Sequence, residues 1–342
     1  MKRWNVTLEE ICDFKNFCLA RKEAIKGMRK THAVLYYLND ENLLKLSKDV
    51  LYGTYRVSPP KHFTIIDKYT GKTRTIDAPS LKDKIVQHAL VQGMESFMMN
   101  YMIQHNLASL PGRGIEYGRR LLRYWAHTGS KAVKYAVKWD IKKYYENINI
   151  NQQINWLAKH VKSQKILLLF HECLYRKDIG LMLGSYLSQW VANLYLSPID
   201  HWIKEDKAIK HYLRYMDDSV AFFSSKKKAK AFSLQLVEKV RDIGLEVKLD
   251  GRGAIRIWKW ADCPVDMLGY KTYRDGHQTL RAKISLSINR SLNRIEKREV
   301  VSRCQARSLL SRRGLVIHSD CKLMANRIDS AIIKYQIKEI AK

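Results

Sequence analysis

The spacing of apolar residues predicts that the first part of the chain is mainly helical. Up to about residue 52, apolar side chains recur every three or four positions, which is the period of a helix packed on one face. Two short alternating stretches, 62–67 and 73–77, predict a β-hairpin. A longer helix is predicted from residue 81 to about 105, and its stripe of methionines is typical of a protein core.

Strands and helices alternate in the middle of the chain. A strand is predicted over 132–141, and the stretch 212–223 predicts a hairpin with an acidic pair at its tip. Helices are predicted between them, over 154–174 and from 187 to about 202, and another follows over 226–243. This order of elements predicts an α+β fold, in which an antiparallel sheet carries helices on one face.

The charge balance is unusual for a globular protein. The 342 residues exceed one ordinary domain and include 62 Lys and Arg against 33 Asp and Glu, a net charge of +29. So many positive charges repel one another, which favours a protein that binds a polyanion. The alternatives are a protein that binds a membrane surface and a protein with a structural role. The excess continues from residue 271 to 342, where seventeen Lys or Arg meet six Asp or Glu.

Other features of the sequence exclude several classes of protein. The sequence has no apolar run of about 18 residues that could span a membrane. Acidic residues occur near its start before any apolar stretch of the kind found in a signal peptide. Six scattered cysteines without a Cys-x-x-Cys pair argue against a disulfide framework and a structural zinc site. We therefore expect a reduced, cytoplasmic protein without a membrane partner.

Three aspartates stand out against the basic excess. Asp140 ends an apolar strand, and Asp217 and Asp218 lie between two apolar runs. An acid in such a position is costly unless it faces water or a cation, and a divalent ion relieves the repulsion of neighbouring carboxylates. Two metal ions held by shared carboxylates suit in-line phosphoryl transfer. Taken alone, however, an acidic pair is more often a simple charged turn.

The motifs around these aspartates resemble those of reverse transcriptases, in the order of that family. Tyr-Met-Asp-Asp at 215–218 resembles the central motif, and Asp-Ile-Lys-Lys-Tyr-Tyr at 140–145 resembles the first palm motif. The stretch 184–189 resembles the motif that grips template and nucleotide, and Met-Leu-Gly-Tyr at 267–270 resembles the primer-grip turn. The resemblance extends over about 57–286 and implies a right-hand polymerase fold with RNA-directed DNA polymerase activity.

The resemblance also implies a role for each matching residue. Asp140, Asp217 and Asp218 would bind two Mg²⁺ ions, with Mn²⁺ as an alternative, and Lys248 would protonate the leaving pyrophosphate. Tyr145 would stack under the sugar and exclude a 2′-hydroxyl. The residues expected to contact the deoxynucleoside triphosphate are Lys72, Arg74, Ile141, Tyr145, Gln189 and Tyr215. Those expected to contact the RNA template or the RNA–DNA duplex are Lys82, Arg113, Gly184, Ser188, Gly269, Tyr270, Arg281, Arg290 and Arg294.

Three domains are expected from these motifs. N-terminal helices and fingers would occupy 1–131, the palm with the catalytic acids 132–273, and a short, basic, helical thumb 274–342. In the thumb, apolar residues recur at helical spacing, with arginines between them that could grip a duplex backbone. The alternative for these arginines is a solvated helix face. The apolar positions are Ile284, Ile288, Leu292 and Ile295.

The branch of the family is suggested by the motif Gly-x-x-x-Ser-Gln at 184–189. Intron-encoded enzymes usually carry Pro-Gln-Gly there, and the motif resembles reverse transcriptases of diversity-generating retroelements. This branch implies error-prone copying, especially at template adenines, with a small basic accessory protein or a structured RNA as partner. One departure is Leu110, which stands where relatives often carry Arg, so that Arg113 would have to replace that contact.

Other functions stay open at this point. A reverse transcriptase of phage (antiviral) defence or an orphan bacterial enzyme would share the same core motifs. A protein that only binds RNA through a polymerase fold is a candidate from another class, although it would have no need of three clustered carboxylates. An RNA-dependent RNA polymerase is disfavoured by the bulky Tyr145.

Overall fold

The computed structural model describes residues 3–66, 71, 73–128, 131–174, 179–251 and 253–341. Within these residues the helices are α1 Leu8–Ile11, α2 Phe14–Ala24, α3 His32–Leu38, α4 Asp40–Leu51, α5 Leu81–Tyr101, α6 Ile115–His127, α7 Tyr144–Asn147, α8 Ile150–His160, α9 Gln164–Leu174, α10 Tyr186–Tyr195, α11 Ser197–His201, α12 Lys226–Asp242, α13 Ala282–Glu296, α14 Arg303–Val316, α15 Lys322–Lys334 and α16 Ile337–Ala341. The strands are β1 Lys61–Ile66, β2 Thr73–Ala78, β3 Tyr135–Trp139, β4 Tyr212–Tyr215, β5 Asp218–Phe223, β6 Arg256–Lys259, β7 Val265–Met267, β8 Tyr270–Thr272 and β9 Gln278–Leu280.

The chain divides into two compact units, each assembled from distant segments. The first unit contains Met1–Leu110, Asp140–Ala208 and Leu236–Leu249. The second contains Pro111–Trp139, Ile209–Gln235 and Asp250–Lys342. The expected division into fingers, palm and thumb stays a prediction.

Helices dominate the first unit, in agreement with the predicted helical start of the chain. The long helix α5 packs against α2 and α10, and Met94 and Met98 on α5 are fully buried, so the methionine stripe lies in the core as predicted. Asn16 of α2 donates its side-chain amide to the carbonyls of Ile11 and Ala89, which ties α2 to α5. Strands β1 and β2 form the predicted hairpin, whose turn lies largely outside the described residues.

A buried carboxylate joins the segment after α4 to the start of α5. Asp83 accepts hydrogen bonds from the Tyr55 hydroxyl at 2.8 Å, the Ser80 hydroxyl at 2.7 Å and the Ser58 amide at 3.1 Å. Ser80 in turn caps α5, because its hydroxyl accepts the Asp83 amide at 3.2 Å. Burial raises the pKa of Tyr55 far above its ordinary value, so its hydroxyl keeps the proton that it donates.

One helix predicted as continuous, over 154–174, is two helices in the structure. Helix α8 ends where Val161 adopts extended backbone and forms a parallel bridge with Trp4. Helix α9 then begins after Ser163, whose hydroxyl accepts the amide of Ile166 at 3.4 Å. The prediction was wrong here because the interaction that ends α8 comes from a residue more than 150 positions away in the sequence.

The second unit contains a four-stranded antiparallel sheet in the order β4–β5–β3–β6. Trp139, the last residue of β3, lies opposite Ser219 of β5. On the same side of the sheet, Phe232 of α12 lies 5.6 Å from the Trp139 ring and 4.9 Å from Phe223. Trp139 also stacks on Tyr212 at 5.8 Å. This arrangement of sheet and helix confirms the α+β fold class.

A second hydrophobic core lies in the C-terminal part of the second unit. The strands β7, β8 and β9 form an antiparallel sheet, and the helices α13 to α16 pack around a shared apolar cluster. Ile288, Leu292 and Ile295 are buried in this cluster and Ile284 packs against it, which confirms the helical spacing seen in the sequence. Trp260, just after β6, is fully buried and donates to the Thr272 carbonyl at 3.0 Å, so it is a packing residue.

All six cysteines are free thiols. None of the helices in the described part of the chain has the length and apolar character that crossing a membrane requires.

The Asp83 cluster predicts a strong stability effect. Asp83→Ala should lower the free energy of unfolding by about 3 kcal/mol, because three buried or half-buried donors would lose their acceptor. Asp40→Ala is the matched control, since Asp40 is exposed and its pairing with Arg21 is a surface ion pair worth less than about 1 kcal/mol. Urea denaturation of the two variants and the wild type measures both effects. Equal losses for the two variants would contradict the role given to Asp83.

Candidate active site

Asp140 and Lys248 form a close pair in the first unit. Lys248 donates its backbone amide to the Asp140 carbonyl at 3.0 Å, and its ammonium makes a short hydrogen bond to Oδ2 of the Asp140 carboxylate. The next residue, Ile141, is buried and forms an antiparallel bridge with Val247. Backbone pairing therefore fixes the lysine beside the carboxylate, and the structure brings together two of the residues that were expected to act in catalysis.

The two tyrosines after Asp140 have different surroundings. Tyr144 is buried, and its hydroxyl makes a short hydrogen bond to the Ala192 carbonyl of α10. Tyr145 is half-buried, with its ring edge-on to Tyr144 at 5.9 Å, and its carbonyl accepts the Leu181 amide at 2.8 Å. Lys143 precedes them with a φ of +45°, an uncommon conformation for a residue with a side chain. One tyrosine anchors the segment, and the other is left partly accessible.

The loop before α10 packs closely on strand β2. Leu183 accepts the amide of Asp77 at 2.7 Å. A Cβ atom on Gly184 would lie 2.8 Å from a methyl group of Ile76 and 2.9 Å from the Asp77 carbonyl, and the φ of Gly184 is +110°. Glycine is therefore required there by the close approach of two backbones. This requirement is a structural reason for the glycine that the sequence alone did not supply.

Helix α10 carries Ser188 and Gln189, the other two predicted site residues of the stretch 184–189. Ser185 caps the helix by accepting the Ser188 amide at 3.2 Å, and it donates to the side chain of buried Gln87 at 3.0 Å. Ser188 itself is buried, and its hydroxyl has no hydrogen-bond partner among the residues that the structure describes. Gln189 is half-buried on the next position of the helix.

The predicted phosphate-binding residues of the fingers are placed only in part. Lys72 lies outside the described residues, whereas Arg74 is exposed on β2, opposite Ile65 of β1. Lys82 is half-buried at the start of α5, donates to the Arg56 carbonyl at 2.7 Å and lies over the Tyr55 ring at 5.3 Å.

Asp217 and Asp218 lie at the tip of a tight hairpin in the second unit. Tyr215 at the end of β4 is half-buried and pairs with Asp218 at the start of β5, so Met216 and Asp217 form a two-residue turn. Met216 has a φ of +54°, and its carbonyl accepts a hydrogen bond at 3.0 Å from the buried guanidinium of Arg214. This internal brace holds a turn that an ordinary side chain disfavours.

Lys138 of β3 lies beside Asp218, and sequence reasoning missed it. Its ammonium is 3.0 Å from Oδ1 of Asp218 and makes a short hydrogen bond to the Asp266 carbonyl of β7. The one available signal was strand alternation, because Lys138 stands two positions before Asp140 and therefore on one side of the strand with it. The contact with Asp266 could not be found in this way, since 128 residues separate the two.

The turn at 267–270 is a tight hairpin with a buried support. Leu268 and Gly269 have φ angles of +59° and +88°, and the Gly269 carbonyl accepts the Arg281 amide at 2.9 Å. Tyr270 is buried in the C-terminal core, donates its hydroxyl to the Leu315 carbonyl at 2.9 Å and has a pKa raised by this burial. Tyr270 thus supports the turn from the core. The guanidinium of Arg281 pairs with the Asp266 carboxylate at 2.7 Å.

The remaining predicted nucleic-acid residues also lie in the second unit. Arg290 and Arg294 are exposed and one helical turn apart on α13, on the opposite side from its buried apolar positions. Arg113 is half-buried, and this burial lowers its pKa below the ordinary value. Leu110, the residue that departs from the family pattern, is buried.

The carboxylate of Asp140 offers a donor atom of the type that fits a hard divalent cation. Carboxylate oxygens are the ligands that Mg²⁺ prefers. Oδ1 of Asp140 is buried and accepts no hydrogen bond from any residue that the structure describes, so a cation would satisfy it. Within the same described ranges, no group of three or more His, Cys, Asp or Glu side chains is gathered closely enough to hold a metal.

Comparison with known proteins identifies the family. Residues 61–271, more than half of the chain, match the family described as reverse transcriptase (RNA-dependent DNA polymerase). The chain is 25% identical over 186 residues to the group II intron-encoded protein LtrA of Lactococcus lactis, covering 49% of this chain and 29% of that protein. It is 29% identical over 162 residues to an uncharacterized 91 kDa protein in a cob intron of Schizosaccharomyces pombe, covering 44% and 19%.

A third curated relative and two solved structures complete the comparison. Protein YkfC of Escherichia coli is 21% identical over 197 residues, which cover 54% of this chain and 51% of YkfC. The chain thus spans about a fifth to a half of the length of these relatives. Apo telomerase from Candida tropicalis is similar with a TM-score of 0.50 at 14% identity, covering 87% of this chain and 63% of that one. Telomerase from Candida albicans in complex with a fragment of telomeric RNA also gives 0.50, at 10% identity, covering 88% and 60%.

The similarity to the telomerase structures shows a shared fold, and the family match shows which family the chain belongs to. The matched range contains in full the stretches 140–145, 215–218 and 267–270, which resemble the first palm motif, the central motif and the primer-grip turn. The chain belongs to the reverse transcriptase family.

Proposed function

We propose that the protein is an RNA-directed DNA polymerase that copies an RNA template into cDNA by two-metal nucleotidyl transfer. The observation that carries the proposal is the pairing of β3 with β5. Trp139 lies opposite Ser219, Asp140 is the residue that follows Trp139, and Asp218 is the residue that precedes Ser219. The proposal requires Asp140, Asp217 and Asp218 to act on the same pair of metal ions.

The aspartates would hold Mg²⁺, or Mn²⁺ in its place. When bound, such ions activate the attacking hydroxyl and stabilise the charge of the leaving group. The Lys248 ammonium lies beside Asp140 and would be the group that donates a proton to the departing pyrophosphate. Lys248 contacts Oδ2 of Asp140, and the other oxygen, Oδ1, would be the one open to a metal ion.

The nucleotide would be held by residues around these acids. Arg74, with Lys72, would neutralise the triphosphate, as basic clamps do in phosphoryl transfer. Tyr145 would lie under the sugar, and its residue is only half-buried. Gln189 would lie near the base, and Ile141 and Tyr215 are the other residues that we assign to nucleotide binding.

Nucleic acid would bind mainly through the arginines of α13. The exposed Arg290 and Arg294 are suited to phosphate contacts, which position a duplex without reading its sequence. At the turn 267–270, contact with the primer would come from the backbone of Leu268 and Gly269, because the Tyr270 side chain lies in the core. We also assign to RNA or the RNA–DNA duplex the residues Lys82, Arg113, Gly184, Ser188 and Arg281.

The branch of diversity-generating retroelements is the finer proposal. It is supported by the motif Gly-x-x-x-Ser-Gln at 184–189 and implies mutagenic copying with a small basic accessory protein or a structured RNA. A defence or orphan reverse transcriptase is the second candidate, because its core motifs would be the same.

The polymerase proposal predicts that Asp217→Asn abolishes DNA synthesis. Primer extension on an RNA template with deoxynucleotides should fall at least about 1,000-fold, because a metal ligand is lost. Asp262→Asn is the matched control, an exposed acid that pairs with Lys259 on the surface, and should leave extension unchanged. Undiminished synthesis by Asp217→Asn would contradict the proposal. Tight RNA binding by the wild type without incorporation in Mg²⁺ or Mn²⁺ would support a binding protein instead.

A second prediction concerns the sugar. Tyr145→Ala should lower the preference for deoxynucleotides over ribonucleotides at least about tenfold, because the side chain that excludes the 2′-hydroxyl is removed. Tyr145→Phe keeps the ring and should keep the preference. The ratio of kcat/KM for the two substrates measures the effect. An unchanged ratio in Tyr145→Ala would remove Tyr145 from the sugar site.

The branch proposal predicts errors concentrated at template adenines. Sequencing of cDNA made by the wild type, with its accessory partner if one is encoded nearby, should show more misincorporation opposite adenine than opposite the other three bases. A template in which adenines are replaced by guanines is the control. Uniformly accurate copying, together with no pair of near-identical repeats differing at adenines beside the gene, would favour the defence or orphan enzyme.

A further inference from the structure

Lys138 connects a predicted metal-binding carboxylate with the hairpin that carries the turn 267–270. In the second unit, its ammonium lies 3.0 Å from Oδ1 of Asp218 and donates a short hydrogen bond to the Asp266 carbonyl. The side chains of Lys138 and Asp218 are only 25% and 34% exposed. A partly buried pair with a second, fixed acceptor holds its geometry better than a surface ion pair does.

The contacts of Lys138 continue beyond Asp266. The carboxylate of Asp266 pairs with Arg281 at 2.7 Å, and the backbone amide of Arg281 donates to the Gly269 carbonyl at 2.9 Å. Met267 and Tyr270 close the same hairpin as opposed residues. A continuous set of polar contacts therefore runs from Asp218 through Lys138 and Asp266 to the turn at Gly269.

We propose that Lys138 is a positioning residue for Asp218. It holds the carboxylate in one orientation, compensates its charge before metal binds, and ties it to the β7–β8 hairpin. This inference deepens the proposed polymerase function and rests on it for the role of Asp218. A lysine cation and a divalent ion compete for the same carboxylate. Lys138 therefore lowers the affinity of Asp218 for metal while it fixes the orientation of the carboxylate.

The competing explanation is that Lys138 only fastens β3 to β7. A lysine with this structural role alone would contribute to stability. Its removal would lower metal affinity and turnover together, because the site would become less ordered. A positioning cation gives a different result, since its removal takes a positive charge away from the metal site. Metal should then bind more tightly while turnover falls, and this opposition of two readouts separates the explanations.

The test compares four variants of the 342-residue chain. Lys138→Met removes the charge with nearly the same shape, Lys138→Arg keeps the charge, and Lys138→Gln is a second neutral variant in case the first does not fold. Lys134→Met is the matched control, because Lys134 is an exposed lysine four positions earlier on the way into β3. Mn²⁺ binding is followed by EPR without nucleotide, kcat and KM are measured by primer extension, and Tm reports folding.

The neutral variants should bind Mn²⁺ about tenfold more tightly, because a cation next to the carboxylate is lost. Their kcat should fall about tenfold to a hundredfold with an unchanged KM for the deoxynucleotide, as is usual when a partner of a metal ligand is removed. Lys138→Arg should recover most of the turnover and the wild-type Mn²⁺ affinity, and Lys134→Met should match the wild type in every readout.

Two results would overturn the inference. In the first, Mn²⁺ affinity and kcat of the neutral variants equal those of Lys134→Met, and in the second both quantities fall together with Tm. If the wild type incorporated no nucleotide at all, the proposed polymerase function would fail, and Mn²⁺ binding would still decide the role of Lys138. Tighter binding by the neutral variants would support it, and unchanged or weaker binding would overturn it.

Discussion

The antiparallel pairing of β3 with β5 is the interaction on which the candidate site depends. Successive residues of a strand point to opposite faces, so a slip of one residue would move every side chain of β3 to the other side of the sheet. The register is fixed from one face, where Trp139 stacks on Tyr212 and contacts Phe232 of α12. Apolar packing on that face thus determines that Lys138 lies beside Asp218 on the other.

Local charge is arranged differently from the charge of the whole chain. A net charge of +29 suits a polyanionic partner. The aspartates of the candidate site nevertheless need cations beside them, because an uncompensated carboxylate that is partly buried is energetically unfavourable. Lysines near the acids meet this need inside each unit, Lys248 at Asp140 and Lys138 at Asp218. Both lysines come from strand or strand-like segments, which keeps the cations fixed. In each unit, a carboxylate of the candidate site is thus paired with a lysine.

Parts of the fold and of the candidate site could be predicted from the sequence where the interacting residues lie close together in the chain. Helix α13 was predicted from its spacing alone, because its buried residues Ile288, Leu292 and Ile295 recur within one segment. The hairpin of β4 and β5 was equally local. The end of α8 was missed because its cause is the bridge between Val161 and Trp4. Lys138 was missed for the same reason, since a sequence pattern shows its strand position and not its contact with Asp266.

Three of the stretches that resemble family motifs contain a residue with a strained backbone. Lys143, Met216 and Leu268 each have a positive φ, although none is a glycine, and each belongs to a stretch that resembles a family motif. Such residues cost of order 1–3 kcal/mol each and persist only where neighbouring contacts compensate. Arg214 supplies one such contact at the Met216 carbonyl. At the turn of Leu268, compensation comes from the Arg281 amide on Gly269 and from the Tyr270 hydroxyl on Leu315. The turn at Leu268 is therefore held by residues that are distant in the sequence, whereas the turn at Met216 is held by Arg214, only two positions away.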